Sequence, residues 1–210
     1  YDNLKKFISF LLSGNISEVI TIFLAMLATS ITPLRAVQIL WMNLVTDSLT
    51  AMALGVDAPA PDIMARPPRE PSENILSRRN QATILWQGMI LSLGSLAAFF
   101  IARYSLYPDS VGKPQTVVFT TLVLAELMHS FNLRSERLSF TESSFFENKA
   151  LLLALSTCLA LQAAVIFFPP LMRLFGTEYL NAAGWGLILA CSVLPVILID
   201  RVKVLLRKRR

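Results

Sequence analysis

Six long apolar runs dominate the sequence and leave few choices of fold. They cover residues 7–31, 36–56, 82–102, 116–133, 150–168 and 182–199. A helix of about 20 residues crosses the hydrocarbon core of a bilayer, and each run is near that length or above it. The composition agrees, because 54% of the residues are hydrophobic and only 16% are charged. We therefore predict an all-α membrane protein, with one domain over residues 1–210 that forms a bundle of six transmembrane helices.

The basic residues predict the orientation of these helices. Most arginines and lysines lie near the two ends of the chain and in the connections 57–81 and 134–149. The other connections carry only Arg35, Arg103, Lys113 and Arg173. The positive-inside rule then places both termini in the cytoplasm. The basic residues flank the apolar runs and form no patch with exposed aromatic residues, so the pI near 9.5 does not indicate a nucleic-acid partner.

The longest connection, residues 57–81, is rich in proline. Its five prolines are Pro59, Pro61, Pro67, Pro68 and Pro71. Proline at this density predicts an extended, semi-rigid strap rather than a helix. Two interpretations stay open, because the segment from Arg66 to Glu70 suits either a plain linker or a surface that docks on a cytoplasmic partner.

Polar residues interrupt the second apolar run where the centre of the hydrocarbon layer is expected. Asn43, Thr46 and Asp47 are spaced so that a helix presents all three on one side. Polar groups at this depth are costly and usually functional. Hydrogen bonding between helices is the alternative for the amide and the hydroxyl, but the oxygen atoms also suit a hard cation.

Two more carboxylates lie inside other apolar runs, Glu18 in the first and Glu126 in the fourth. No lysine or arginine lies at a comparable depth, so these acids and Asp47 are either protonated or balanced by a cation. Calcium takes about 6–8 oxygen ligands, and we predict a calcium site, with sodium and a proton relay left open. The six candidate ligands are Asn15, Glu18, Asn43, Thr46, Asp47 and Glu126.

Two other patterns point to structural roles. Glu126 and His129 have the Glu-x-x-His spacing of di-iron bundles, but such sites need a second copy and the sequence holds one. We therefore expect His129 to be a hydrogen-bonding residue near the cytoplasmic end of its helix. Cys158 and Cys191 both lie inside apolar runs, which is typical of small buried side chains rather than of a disulfide framework.

Five motifs stand in order along the chain: Ser-Gly-Asn-Ile-Ser-Glu at 13–18, Asn-Leu-Val-Thr-Asp at 43–47, Ala-Leu-Gly at 53–55, Met-Ala-Arg-Pro-Pro-Arg at 64–69 and Ala-Glu-Leu-Met-His at 125–129. Together they resemble the C-terminal membrane half of type II P-type ATPases. The resemblance is to calcium pumps of the sarco/endoplasmic-reticulum type and their bacterial relatives. It covers essentially the whole chain, as the fifth to tenth membrane helices of that family.

The resemblance implies a role for each candidate ligand. Asn15 and Glu18 match cation ligands of the family's fifth helix, and Glu126 matches the ligand of the eighth. Residues 43–47 match the sixth helix, partly unwound in the family, where Asn43, Thr46 and Asp47 correspond to ligands. The counterpart of Asp47 is shared between two calcium sites. Asn43 stands where sodium/potassium pumps usually carry Asp, and Glu18 is kept where secretory-pathway calcium/manganese pumps usually lack it.

The resemblance also implies an activity, ATP-driven export of calcium from the cytoplasm. We expect the carboxylates to accept protons when the site is empty, which predicts proton counter-transport. The expected location is the plasma membrane if the protein is bacterial, and otherwise an internal calcium-storing membrane. The motifs Asp-Lys-Thr-Gly, Thr-Gly-Glu and Gly-Asp-Gly do not occur in the 210 residues. ATP and magnesium are therefore expected to bind cytoplasmic domains outside this chain, which alone is expected to be catalytically inactive. The implied partners are the bilayer, four further membrane helices and those domains, contacted through the strap 57–81.

Other functions remain open at this point. A secondary cation antiporter would use Glu18, Asp47 and Glu126 as a proton relay and would transport without ATP. A P-type pump for manganese or sodium would keep the same fold. In a non-transporting scaffold, the three carboxylates would affect only stability.

Overall fold

The computed structural model describes residues 1–58, 75–134 and 148–208, and all regular structure in these ranges is helical. Six of the described helices are long and apolar enough to cross a membrane: Asp2–Thr29, Ala36–Gly55, Arg78–Leu106, Gly112–Arg134, Lys149–Phe167 and Ala182–Leu206. The predicted fold class, an all-α protein with six membrane-length helices, is confirmed. The side of the membrane on which the termini lie stays a prediction.

We number the described α-helices in chain order. They are α1 (Asp2–Thr29), α2 (Ala36–Trp41), α3 (Ser48–Gly55), α4 (Arg78–Ile101), α5 (Gly112–Arg134), α6 (Lys149–Phe167), α7 (Pro169–Phe175) and α8 (Ala182–Lys208). Two wider π-helical turns continue these helices. One, Met42–Asp47, joins α2 to α3 within the second span, and the other, Ala102–Leu106, extends α4.

The apolar runs locate the spans but underestimate the lengths of the helices. α1 begins at Asp2 rather than at residue 7, and α8 continues to Lys208 rather than ending at residue 199. α4 begins at Arg78, where the Ser77 hydroxyl caps it by accepting a hydrogen bond from the Asn80 amide. The last four residues of the predicted strap, 78–81, are helical, because the serine cap starts the helix before the apolar run begins. Residues 59–74, with the segment Arg66 to Glu70, lie outside the described residues.

Helix α7 is a feature that the sequence analysis does not predict. Pro169 and Pro170 end the fifth apolar run, but they also begin α7, because proline has the backbone angle of a first helical turn and needs no amide partner there. Gly176 ends α7 in the left-handed conformation, with a φ of 66°. At this end, the Gln38 amide donates to the Phe175 carbonyl at 3.1 Å, so α7 supports α2.

The bundle is organised around α5, which is the most buried of the six long helices. Helices α1, α4 and α8 all pack against it, and α4 also packs against α1 and α8. Gly88 lets α4 approach α1 closely, since an added Cβ would lie 2.6 Å from Cγ2 of Ile16 and 3.0 Å from the Ser13 carbonyl oxygen. Gly94 serves the α4–α8 contact in the same way, because an added Cβ would overlap Pro195. Small residues at such positions are typical of membrane helix packing.

One end of the bundle, which we call the Asp57 end, holds a polar network. Asp57 follows α3 and forms ion pairs with Lys6 of α1 at 2.8 Å and with Arg134 of α5 at 3.3 Å. Its Oδ1 also accepts a hydrogen bond from Asn148, the residue that caps α6, and its carbonyl oxygen accepts one from Asn3. These five residues, the Asp57 network, tie together the ends of four helices.

The two cations of the network act on the acidity of Asp57. Burial alone favours the neutral acid and pushes the pKa of Asp57 upward. The hydrogen bond and the charge of Lys6, together with Arg134, outweigh this effect and hold the pKa below its ordinary value of 3.8.

Candidate cation site

Three acidic side chains from three helices meet inside the bundle. Glu18 comes from α1, Asp47 from the π-helical turn of the second span and Glu126 from α5. Each offers a carboxylate oxygen, and these oxygens lie within 4.8 Å of one another. All three side chains are buried, with at most 4% of their surface exposed. We call these three side chains the carboxylate group.

The π-helical turn Met42–Asp47 positions the second-span residues of the site. Two side chains also donate hydrogen bonds to carbonyl groups of this turn. The Ser48 hydroxyl donates to the Asn43 carbonyl at 3.1 Å, and the Cys158 thiol of α6 donates to the Thr46 carbonyl at 3.8 Å. Wide turns of this kind occur frequently at functional sites. The resemblance implies a partly unwound helix here, whereas this chain stays helical through a wider turn.

The carboxylate group has unused hydrogen-bonding capacity. Five of its six oxygens are buried without a hydrogen-bond partner among the described residues: Glu18 Oε1, both oxygens of Asp47 and both of Glu126. The sixth, Glu18 Oε2, accepts a hydrogen bond from the Asn43 amide at 2.9 Å. Buried polar atoms normally have partners, and adjacent buried negative charges repel one another. Oxygen atoms arranged in this way fit a hard cation.

The remaining predicted ligands differ in how closely the structure joins them to this group. Asn43 contacts it directly through Glu18, and its amide also donates to the Ile39 carbonyl at 3.0 Å. The Thr46 hydroxyl is buried and donates to the Met42 carbonyl at 2.8 Å, which leaves its oxygen able to accept. Asn15 is half-buried on α1, and no hydrogen bond to a described residue joins it to the group.

Gly14 is a site residue that the list of candidate ligands misses. An added Cβ there would lie 3.3 Å from Oε1 of Glu126 and 3.6 Å from Oδ2 of Asp47. The sequence places Gly14 four residues before Glu18, and residues four apart share one face of a helix. This spacing could have identified Gly14 as a residue of the site. The sequence indicates that a neighbour comes close at this glycine, and the structure identifies the neighbour as two carboxylates.

His129 does not behave as expected. It is buried one turn beyond Glu126 on α5, and neither ring nitrogen has a hydrogen-bond partner among the described residues. The prediction of a hydrogen-bonding histidine is therefore wrong within the described chain. Asn132 makes the polar contact between α5 and α8 instead, because its amide donates to the Val196 carbonyl at 3.0 Å.

Comparison with known proteins assigns the family. Residues 31–205 match the family model described as "Cation transporting ATPase, C-terminus". This range includes Asp47 and Glu126 but begins after α1, which carries Glu18. The match covers well over half of the chain.

Similar proteins have calcium transport in their names. A calcium-transporting ATPase of Bacillus subtilis is 39% identical over 95% of this chain and 22% of that protein. Calcium-transporting ATPase 1 of Bacillus cereus is 37% identical over 97% of this chain and 24% of that protein. A calcium-transporting ATPase of Plasmodium falciparum is 30% identical over 100% of this chain and 20% of that protein.

The chain spans about a fifth to a quarter of the length of these curated relatives. With six membrane-length helices, it is an integral, multi-pass membrane protein. The 210 residues therefore belong to the C-terminal membrane region of the cation-transporting ATPase family.

Proposed function

We propose that the complete protein is an ATP-driven calcium pump that exports calcium from the cytoplasm, and that this chain supplies most of its calcium ligands. The observation that carries the proposal is the carboxylate group, in which Glu18, Asp47 and Glu126 bring oxygens within 4.8 Å of one another inside a membrane bundle. The names of the relatives, calcium-transporting ATPases, support calcium as the transported ion.

The ligand set fits calcium for a reason of coordination chemistry. Calcium accepts about 6–8 oxygens in flexible geometry, whereas magnesium needs a near-ideal octahedron and keeps several waters. The three carboxylates would supply the charge. The oxygens of Asn15, Asn43 and Thr46 would add neutral ligands, and the Asn43 side chain is already hydrogen-bonded to Glu18.

Release of calcium leaves three carboxylates close together in a buried space. Protons then bind to relieve the repulsion between them, so calcium export is coupled to proton counter-transport. ATP and magnesium bind in parts of the protein outside this chain. The strap 57–81 contacts those parts and the remaining membrane helices. The membrane is the plasma membrane if the protein is bacterial, and otherwise an internal calcium-storing membrane.

Asp47→Asn in the complete pump tests the proposal. The substitution keeps the size of the side chain but removes a negative charge from the site. We expect the calcium concentration needed for half-maximal phosphorylation by ATP to rise about tenfold or more, as the loss of a charged ligand worth about 1.4 kcal/mol requires. Asp109→Asn is the matched control, because Asp109 is exposed in the turn before α5. An unchanged calcium dependence in Asp47→Asn would contradict the assignment.

A flux assay in liposomes separates the pump from the antiporter. The complete protein is expected to move calcium when ATP and magnesium are supplied and no proton gradient is imposed. Transport driven by a proton gradient without ATP would favour the antiporter. Manganese and sodium are tested as competing ions in the same assay. Absence of transport by the complete protein, together with a change only in stability when all three carboxylates are neutralised, would favour the non-transporting scaffold.

A further inference from the structure

We infer that Gly14 determines the size of the cation that the carboxylate group accepts. The inference rests on the proposed function, because it concerns the same site. Gly14 forms the part of the α1 wall that faces Glu126 and Asp47, and the absence of a side chain leaves the room that the ion and its ligands occupy.

The distances around Gly14 carry the inference. A methyl group there would lie 3.3 Å from Oε1 of Glu126 and 3.6 Å from both the Cδ atom of Glu126 and Oδ2 of Asp47. The contact at 3.3 Å is tighter than ordinary van der Waals contact, so the Glu126 carboxylate would have to shift. That carboxylate is buried and is held in place by no hydrogen bond from the described residues.

The spacing of the carboxylate group suits an ion as large as calcium. Calcium binds oxygens at about 2.3–2.6 Å, so ligand atoms up to 4.8 Å apart lie on opposite sides of one such ion. A methyl group at Gly14 takes up part of this space, and the Glu126 carboxylate has to shift by a few tenths of an ångström. The site then favours an ion with shorter bonds to oxygen.

Gly14 is placed differently from the other glycines of the chain. Gly88 and Gly94 face neighbouring helices, and Gly55 and Gly186 have no atom within 4 Å of an added Cβ. No other glycine has Glu18, Asp47 or Glu126 among the nearest neighbours of its added Cβ. Glycine in a helix interior costs about 1 kcal/mol relative to alanine, so Gly14 weakens α1 and is explained better by the space it leaves than by the helix.

Gly14→Ala is the informative substitution. The added methyl group forces the Glu126 carboxylate to shift away from its place in the site, so we expect calcium affinity to fall about tenfold or more, which corresponds to about 1.4 kcal/mol or more. Manganese also accepts carboxylate ligands and is smaller than calcium, so its affinity should fall less. The ratio of calcium affinity to manganese affinity should therefore decrease.

The experiment measures equilibrium binding of radioactive calcium and of radioactive manganese to the complete pump without ATP. Thermal unfolding in detergent is followed on the same samples. Gly186→Ala is the matched control, because it makes the same chemical change in a membrane helix where an added Cβ meets nothing. We expect the control to keep both affinities, and Gly14→Ala to keep its unfolding midpoint while its calcium-to-manganese ratio falls.

The outcomes distinguish this inference from the proposed function. If the wild type binds calcium, Asp47→Asn loses it and Gly14→Ala keeps the wild-type ratio, the role of Gly14 is wrong and the calcium site stands. Equal loss of both ions with a lower unfolding midpoint also overturns the role of Gly14, since it indicates structural damage. If calcium binding is absent from the wild type or unchanged in Asp47→Asn, the proposed function itself fails.

Discussion

His129 and Asn132 are buried polar residues one turn apart on α5, and they differ in the hydrogen bonds that their side chains make. The Asn132 side-chain amide donates a hydrogen bond to the Val196 carbonyl of α8, and the main-chain carbonyl of Asn132 accepts one from Lys203. The side-chain Oδ1 of Asn132 has no hydrogen-bond partner among the described residues. The ring nitrogens of His129 have no such partners among the described residues. A buried polar group without a partner costs about 1–3 kcal/mol, whereas a typical hydrogen bond contributes about 1 kcal/mol.

Because only Asn132 makes a side-chain hydrogen bond, leucine is predicted to have different effects on stability at the two positions. His129→Leu should leave the thermal unfolding midpoint unchanged or raise it, because an apolar side chain replaces an unpartnered polar one. Asn132→Leu should unfold at a lower temperature than His129→Leu, because the contact to α8 loses its hydrogen bond. Both variants are measured in detergent beside the wild type. A lower midpoint for His129→Leu would mean that a polar partner of the ring, such as a buried water, had been removed.

At the scale of the helices, local pattern predicts the spans but not the details that build the site. The second span follows from its apolar run, because a helix satisfies its own backbone in lipid. Its π-helical turn cannot be predicted from the same run, because the turn is supported by Cys158 of α6, which is far away in the sequence. The paired prolines at 169 and 170 show that a helix ends, but proline also suits the start of α7.

For the carboxylate group too, the sequence predicts the residues but not their arrangement. Glu18, Asp47 and Glu126 are recognisable as candidates because each is an acid in an apolar run. Their separation of at most 4.8 Å depends on which helices pack together, and the lengths of the connections do not determine that. The role of Gly14 depends on the same packing, since the atoms near it belong to α5 and to the second span.

The contact between α1 and α4 carries a prediction of its own. Gly88→Ala places a methyl group 2.6 Å from Cγ2 of Ile16 and 3.0 Å from the Ser13 carbonyl oxygen, so the two helices must move apart. We expect the free energy of unfolding to fall by about 1–3 kcal/mol, although alanine favours the helix itself. Denaturant unfolding measures the change, with Gly186→Ala as the control. Equal stability of the two variants would show that the helices accommodate the methyl group without separating.

At the scale of the whole molecule, the Asp57 network and α5 hold the bundle together in different ways. α5 contributes buried surface along the length of the bundle, whereas the network joins helix ends through charges and hydrogen bonds. Asp57 contacts residues of α1 and α5 and the cap of α6. The loss of one carboxylate charge therefore weakens several helix contacts at once.

The pH dependence of stability tests this role of Asp57. Its pKa is lower in the folded protein than the ordinary 3.8, so its contribution to the free energy of unfolding is complete above that value. The contribution is lost as the pH falls through the folded-state pKa. Asp57→Asn should therefore unfold at a lower temperature than the wild type at neutral pH, by about 2–4 °C for each 1 kcal/mol lost.

The difference between the unfolding midpoints of the wild type and Asp57→Asn should then stay constant from neutral pH down to the ordinary aspartate pKa of 3.8 and narrow as the pH is lowered further. Exposed Asp109 provides the control, because Asp109→Asn removes the same charge outside the Asp57 network. The midpoints are followed by thermal unfolding in detergent across this range of pH. A difference that stays constant to the acid limit would mean that Asp57 contributes through its shape and hydrogen bonds, which asparagine retains in part, and not through its charge.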